Sequence, residues 1–200
     1  MNTRPPLVMS AILAGALLVV PAFAYQYPLS SSAIREAYLV GTADDNGSRA
    51  ARAAYKHVLF DVTLDAYTSA VSISTPYSQV AAWASEMPNH DSQGAVKWFQ
   101  GRPANFIVHA DIYFLPDESD PDSLTRIQIF QHDKEIMPQS ATREPLFPQH
   151  GGDFMDTAVI GQHVELDYDP AAFDSSPLTI TIDVPGGQHA ETSFDLGKLK

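Results

Sequence analysis

Several stretches of this chain place an apolar side chain at every second position, and that period constrains the fold more than any other feature. Phe106, Val108, Ala110, Ile112 and Phe114 alternate with Ile107, His109, Asp111 and Tyr113. Val164, Leu166 and Tyr168 alternate with His163, Glu165 and Asp167, and Leu178, Ile180, Ile182 and Val184 alternate with Thr179, Thr181 and Asp183. A period of two is that of a strand with one face buried and one face wet. Val71 and Ile73 open a further strand, and Ile127 and Ile129 belong to another. Gly186-Gly187 suits a turn from the 178–184 strand into a last one, His189 to Phe194. Proline cannot donate to a sheet ladder, and Pro116, Pro121, Pro138, Pro145, Pro148, Pro170, Pro177 and Pro185 all fall between the apolar runs. The expected fold is mainly β: an antiparallel β-sandwich, immunoglobulin-like or related.

The chain before Phe60 reads differently. Arg4 precedes an apolar run from Leu7 to Val20, Pro21 breaks it, and Ala22-Phe23-Ala24 has the small-x-small spacing of a signal peptidase site. A membrane-spanning helix needs about 20 apolar residues, more than this run supplies, so cleavage after Ala24 is favoured over an uncleaved anchor. The chain is therefore expected to be exported, to the periplasm or beyond, with no membrane anchor after cleavage. A short N-terminal helical hairpin should follow. Ser30, Ser31 and Ser32 are candidate caps for a helix from Ala33 to Val40, with Gly41 ending it in the left-handed conformation. Asp44-Asp45-Asn46-Gly47 is a turn, and Ser48 caps a second helix running to about Val58. The chain thus divides into 1–24 (signal), 25–60 (helical segment packed on the sandwich) and 61–200 (sandwich). Within the last, Gln79 to Ala84 suits strand and helix equally, and Ser92 to Phe99 suits a short helix. The stretch Lys134 to Asp156 lacks a period and reads as an ordered surface loop anchored by Met137, Leu146, Phe147, Phe154 and Met155.

Charge and cysteine content narrow the function. The whole chain has 24 acidic and 12 basic residues, a net charge of −12. Arg4 is the only charged residue before Tyr25, so cleavage makes the protein one unit more acidic still. Such a surface suits neither nucleic acid, whose phosphates need a Lys/Arg patch, nor an anionic lipid surface. With no cysteine there is no disulfide, thiolate zinc site, catalytic thiol or lipid-modified cysteine, and the fold must rest on its core. A domain of this size buries roughly 70% of its unfolded surface, which is enough.

The candidate chemistry is histidine and carboxylate. The seven histidines are His57, His90, His109, His132, His150, His163 and His189. None forms an HExxH or HxH pattern. Residues two apart on a strand share a face, so His163 aligns with Glu165 and Asp167, and His109 with Asp111. Were those strands neighbours, imidazole and carboxylate would converge on a divalent metal. The alternation equally suits the solvated face of an antiparallel sheet, and the expectation is that His109, His163 and Glu165 do not meet in one enclosed pocket. The acidic run Asp117-Glu118-Ser119-Asp120-Pro121-Asp122-Ser123 offers oxygen ligands for calcium, although it lacks EF-hand spacing and suits a polar turn as well. The candidate metal ligands are thus Asp117, Asp120, Asp122, His163 and Glu165, for calcium or another divalent cation. No catalytic residue and no other cofactor is assigned.

Trp83, Trp98, Phe99, Tyr67 and Tyr77 would form a sugar- or peptide-binding platform if exposed, and core if buried. Asn46-Gly47-Ser48 fits a glycosylation sequon. No G-x-S-x-G elbow, phosphate loop or dinucleotide fingerprint is present. The segments Tyr27-Pro28-Leu29-Ser30, Ala33-Ile34-Arg35-Glu36-Ala37-Tyr38, Thr75-Pro76-Tyr77-Ser78-Gln79-Val80 and Phe194-Asp195-Leu196 resemble those of a set of secreted bacterial proteins of unknown function. The resemblance implies a bacterial exported protein with a C-terminal β region, and brings no activity, ligand or catalytic residue. Two functions stand: a non-enzymatic exported module with a protein or carbohydrate partner, or a small exported hydrolase, metal-assisted through the His163/Glu165 or His109/Asp111 rows.

Overall fold

Burying alternate side chains forces strands to pair, and the described residues of the computed structural model form two antiparallel sheets from them. The structure describes residues 25–43, 55–58, 69–87, 90–100, 102, 104–113, 125–147, 161–184 and 188–199. The first sheet contains β1 (Lys56–Val58), β2 (Ser69–Ser74), β3 (Phe106–Tyr113), β7 (Gly161–Tyr168) and β6 (Ser140–Leu146), in that order. The second contains β5 (Lys134–Ile136), β4 (Arg126–Gln131), β8 (Pro177–Val184) and β9 (Gln188–Asp195). Every pairing among the described strands is antiparallel.

An apolar core takes side chains from both sheets. Val71, Phe106, Val108, Ile112 and Val164 enter it from the first, and Ile129, Leu178, Ile180, Ile182 and Phe194 from the second. The alternation holds along β8: Leu178, Ile180 and Ile182 are fully buried, while Thr179, Thr181 and Asp183 are half-buried. The side chain of Val184 lies outside the described residues, as do Phe114 and the Gly186-Gly187 turn. Tyr25 closes the core from the N-terminal side. Its backbone N–H donates to the Leu196 carbonyl (2.9 Å), its hydroxyl to the Pro170 carbonyl (2.8 Å), and its ring meets Phe106 and Phe173 edge-on.

Among the described residues, helices form a second, smaller core. They are α1 (Ser31–Thr42), α2 (Pro76–Glu86) and α3 (Ser92–Gln100). Ile34, Ala37 and Tyr38 of α1 pack with Tyr77, Val80 and Ala84 of α2 and Ala95 of α3. Their starts are capped by side chains: the Ser30 and Thr75 hydroxyls accept from the N–H groups of Ala33 and Ser78, and the Asp91 carboxylate accepts from that of Gly94. Gln79 ties α2 to the strands by donating to the carbonyls of Ser74 and Asn105. No helix among the described residues is long and apolar enough to cross a membrane.

Five expectations are corrected. Gly41 does not end α1 in the left-handed conformation; it lies inside the helix, which stops at Thr42 with Ala43 extended. Its role is close approach: a Cβ there would stand 2.0 Å from the Ala81 carbonyl oxygen and 2.8 Å from the Ala84 Cβ. The second helix of the expected hairpin, from its Ser48 cap to about Val58, lies outside the described residues as far as 54, but its expected end, Lys56–Val58, is strand β1 paired with β2. The partners of α1 are instead α2 and α3, from the β2–β3 connection, and the ambiguous 79–84 segment is the helical one. The loop expected from Lys134 contains β5 and β6. β6 is an edge strand exposed along nearly its whole length, so the ladder to β7 holds it and no apolar period marks it. Pro145, expected between strands, lies within β6, where an edge strand has no second ladder to break. The expected loop anchors Met137 and Phe147 are 70% and 51% exposed, and Phe154 and Met155 lie outside the described residues.

Candidate metal centre

The two histidine rows are neighbours. In the β3–β7 register His109 stands opposite Glu165 and Asp111 opposite His163. All four side chains lie on the face of the first sheet turned away from the core, because their neighbours Val108, Ala110, Ile112, Val164 and Leu166 point inward. Directly opposed residues have Cβ atoms about 4.5–5.5 Å apart, so ring and carboxylate are brought together by the ladder itself.

The geometry gives the two pairs different characters. His163 Nδ1 donates to Asp111 Oδ1 at 2.6 Å. His109 Nδ1 and Glu165 Oε2 stand 3.5 Å apart, beyond an effective hydrogen bond. The His109 and His163 rings are stacked with centroids 5.7 Å apart. One ligand atom each from His109, His163 and Glu165 fits within a 4.8 Å span. Burial holds the His109 imidazole below its ordinary pKa, against the opposing pull of the Glu165 carboxylate. A ring of lowered pKa is neutral at pH 7, so the 3.5 Å approach is not an ion pair there, and a neutral imidazole is the form that binds metals.

The four side chains are 30–39% exposed. They meet on a half-open sheet face, and neither histidine lines the cleft of about 680 Å³ between the β4–β5 hairpin and residues 171–174. The next carboxylate along β7, Asp167, is engaged elsewhere: it accepts from Ser140 Oγ (2.7 Å) and Asn105 Nδ2 (3.3 Å).

The other histidines have separate roles. His57 turns inward, stacks on Phe194 at 4.0 Å and pairs with the Thr192 hydroxyl, closing the β1 end of the first sheet on the second. His189 meets Asp183 across β8–β9 (2.7 Å). His132 occupies the left-handed β4–β5 turn with Asp133 and pairs with Asp174, whose carboxyl its hydrogen bond helps hold down at about 2. His150 lies outside the described residues, as do Asp117, Asp120 and Asp122, Tyr67 and the Asn46 sequon.

Among the described aromatic residues, most contact one another. Tyr77 is buried. Trp83 and Trp98 are stacked on each other (4.8 Å, 19°), Arg102 lies over the Trp98 ring at 4.8 Å, and His90 packs against Trp83. The Trp83, Trp98 and Phe99 rings are thus engaged with one another and half-buried among the described residues. His90 is itself held by the Tyr38 hydroxyl, which donates to its carbonyl.

Of the four residues that meet, each was legible as a polar position on a strand face. Their meeting was not, because it depends on the pairing of strands distant in sequence. The described chain is mainly antiparallel β, and its ionisable centre is a two-histidine, two-carboxylate cluster on one sheet face. No family model matches this chain, no curated protein matches it, and no solved structure matches it.

Proposed function

We propose that this chain is an exported binding module, an antiparallel β-sandwich of immunoglobulin-like or related kind, that holds a divalent transition-metal ion on the outer face of its first sheet. The carrying observation is the approach of His109, His163 and Glu165, with His109 Nδ1 and Glu165 Oε2 3.5 Å apart. Two ligands on a tetrahedral ion with bonds of about 2.0–2.1 Å stand about 3.4 Å apart. The donor set decides the metal class: two imidazoles and one carboxylate favour zinc and its neighbours, whereas calcium takes oxygen ligands almost exclusively. A half-open face also excludes little water, which favours binding over sheltered chemistry.

The test is metal analysis and calorimetry on the purified protein. One zinc per chain is expected, with calcium bound far more weakly. At a hundredfold excess over Kd, zinc should stabilise the fold by about 2.7 kcal/mol and raise Tm by about 5–10 °C. His163→Ala should abolish the shift while leaving the metal-free Tm within about 2 °C, since the residue is on the wet face. No zinc binding, or equal binding by the variant, sinks the assignment. A second reading, the metal-assisted hydrolase, has one supporting feature: three protein ligands leave a fourth position to water. An esterase or phosphatase activity lost in His163→Ala would shift the assignment to it.

Export belongs to the same proposal. Tyr25, the residue after the expected cleavage point, is a core residue whose backbone nitrogen donates to Leu196, so processing after Ala24 leaves a chain that starts at the edge of its own core. N-terminal sequencing of the exported protein should begin at Tyr25; a protein retaining Met1 and sedimenting with membranes would show the opposite.

A further inference from the structure

We infer that Asp111 is the positioning residue of the His109–His163–Glu165 site: its carboxylate holds the His163 ring in the tautomer that presents Nε2 to the ion. The inference rests on the metal-binding reading above. His163 Nδ1 and Asp111 Oδ1 are 2.6 Å apart. An ionised carboxylate only accepts, so the hydrogen is on Nδ1, and in the neutral ring the lone pair is on Nε2. Two ligands of one tetrahedral ion need about 3.4 Å between them, so a pair at 2.6 Å cannot share an ion. That distance is instead the length of a strong charge-assisted hydrogen bond. Asp111 also lies outside the three-residue group whose ligand atoms converge; it acts through His163 rather than as a fourth ligand.

The ladder explains the division of labour. Asp111 faces His163, and Glu165 faces His109, at equivalent cross-strand positions. Aspartate is one methylene shorter than glutamate. Its carboxylate stays low, beside Nδ1, the ring nitrogen nearer the backbone. Glu165 also faces the Nδ1 of its partner ring, but its Oε2 stands 3.5 Å from His109 Nδ1, an ion-sized separation. Such a carboxylate–histidine–metal arrangement fixes ring orientation and raises the basicity of the ligating nitrogen.

The experiment compares wild type with Asp111→Asn and Asp167→Asn. Both variants remove one negative charge from the same face, but only Asp111 touches His163. Zinc affinity, measured by competition with a chromophoric chelator, should fall about 10–100-fold in Asp111→Asn and stay nearly unchanged in Asp167→Asn. Nitrogen-15 NMR of the metal-free wild type should show the His163 Nδ1–H form alone, and Asp111→Asn should show a mixture of tautomers. Equal losses in the two variants would mean a general charge effect and overturn the inference. So would an unchanged affinity in Asp111→Asn, or an Nε2–H ring in the wild type. If the wild type takes no zinc, the metal reading falls, and the tautomer of the metal-free ring still decides the role of Asp111.

Discussion

Gly41→Ala should destabilise the fold by about 3 kcal/mol, lowering Tm by about 6–12 °C. Two effects oppose each other at this position. Alanine in a helix interior is favoured over glycine by about 1 kcal/mol. Against that, the new methyl would stand 2.0 Å from the Ala81 carbonyl oxygen and 2.8 Å from the carbonyl carbon and the Ala84 methyl. Those atoms belong to the backbone and the shortest side chain of α2, so no rotamer change relieves the contact. The helices must move apart, and the small core of Ile34, Ala37, Val80 and Ala84 opens with them. Gly94→Ala, in α3, is the control. Its nearest new neighbour is the Asp91 carboxylate at 3.2 Å, the end of a side chain, and its effect should stay within about 1 kcal/mol. Thermal or urea unfolding of the two variants measures the difference; similar values for both would mean that α1 and α2 do not pack at this distance.

The second large effect is in the main core. Ile180→Ala should cost about 2–5 kcal/mol, and Thr181→Ala less than about 1 kcal/mol. Ile180 is fully buried on an inner strand, opposite Ile129 on one side and Thr192 on the other. The next side chain, Thr181, is half-buried on the opposite face. A register shift of one residue would exchange the two faces of β8, so equal costs at the two positions would overturn the register of the second sheet. Urea unfolding with a common m-value is the measurement.

What could be read from the sequence follows from where burial is one-sided. β3, β7 and β8 bury one face and expose the other, and each left a clean period of two. The Ser30 cap of α1 was readable because the side chain itself makes the bond. β6 was not readable: an edge strand exposed on both faces, held by its ladder and by polar contacts of Ser140 and Arg143, leaves no apolar period. The α2 segment was ambiguous because Val80, Ala81 and Ala84 are buried while Ala82 is not, and such a short run fits either period. Gly41 was misread because a glycine near a helix end suits both a left-handed cap and a close crossing, and only the position of α2 separates them. The histidine–carboxylate cluster was half legible. Each row of side chains could be placed on one face, but the opposition of His109 to Glu165 is a non-local pairing that no local pattern encodes. Of the candidate ligands, His163 and Glu165 are in the cluster, and Asp117, Asp120 and Asp122 fall outside the described residues.

The seat of Tyr25 also sets the order in which the chain can finish folding. Its amide is held by Leu196 and its hydroxyl by Pro170, so the first core residue is fastened by nearly the last. A ribosome that has made everything up to β7 has supplied one sheet's inner face but not Leu178, Ile180, Ile182 or Phe194, which cover it. Closure of this core therefore waits for residues as late as Leu196 and Leu199. A truncation before Leu196 would remove Leu196 and Leu199 from the core and leave the Tyr25 amide without its acceptor.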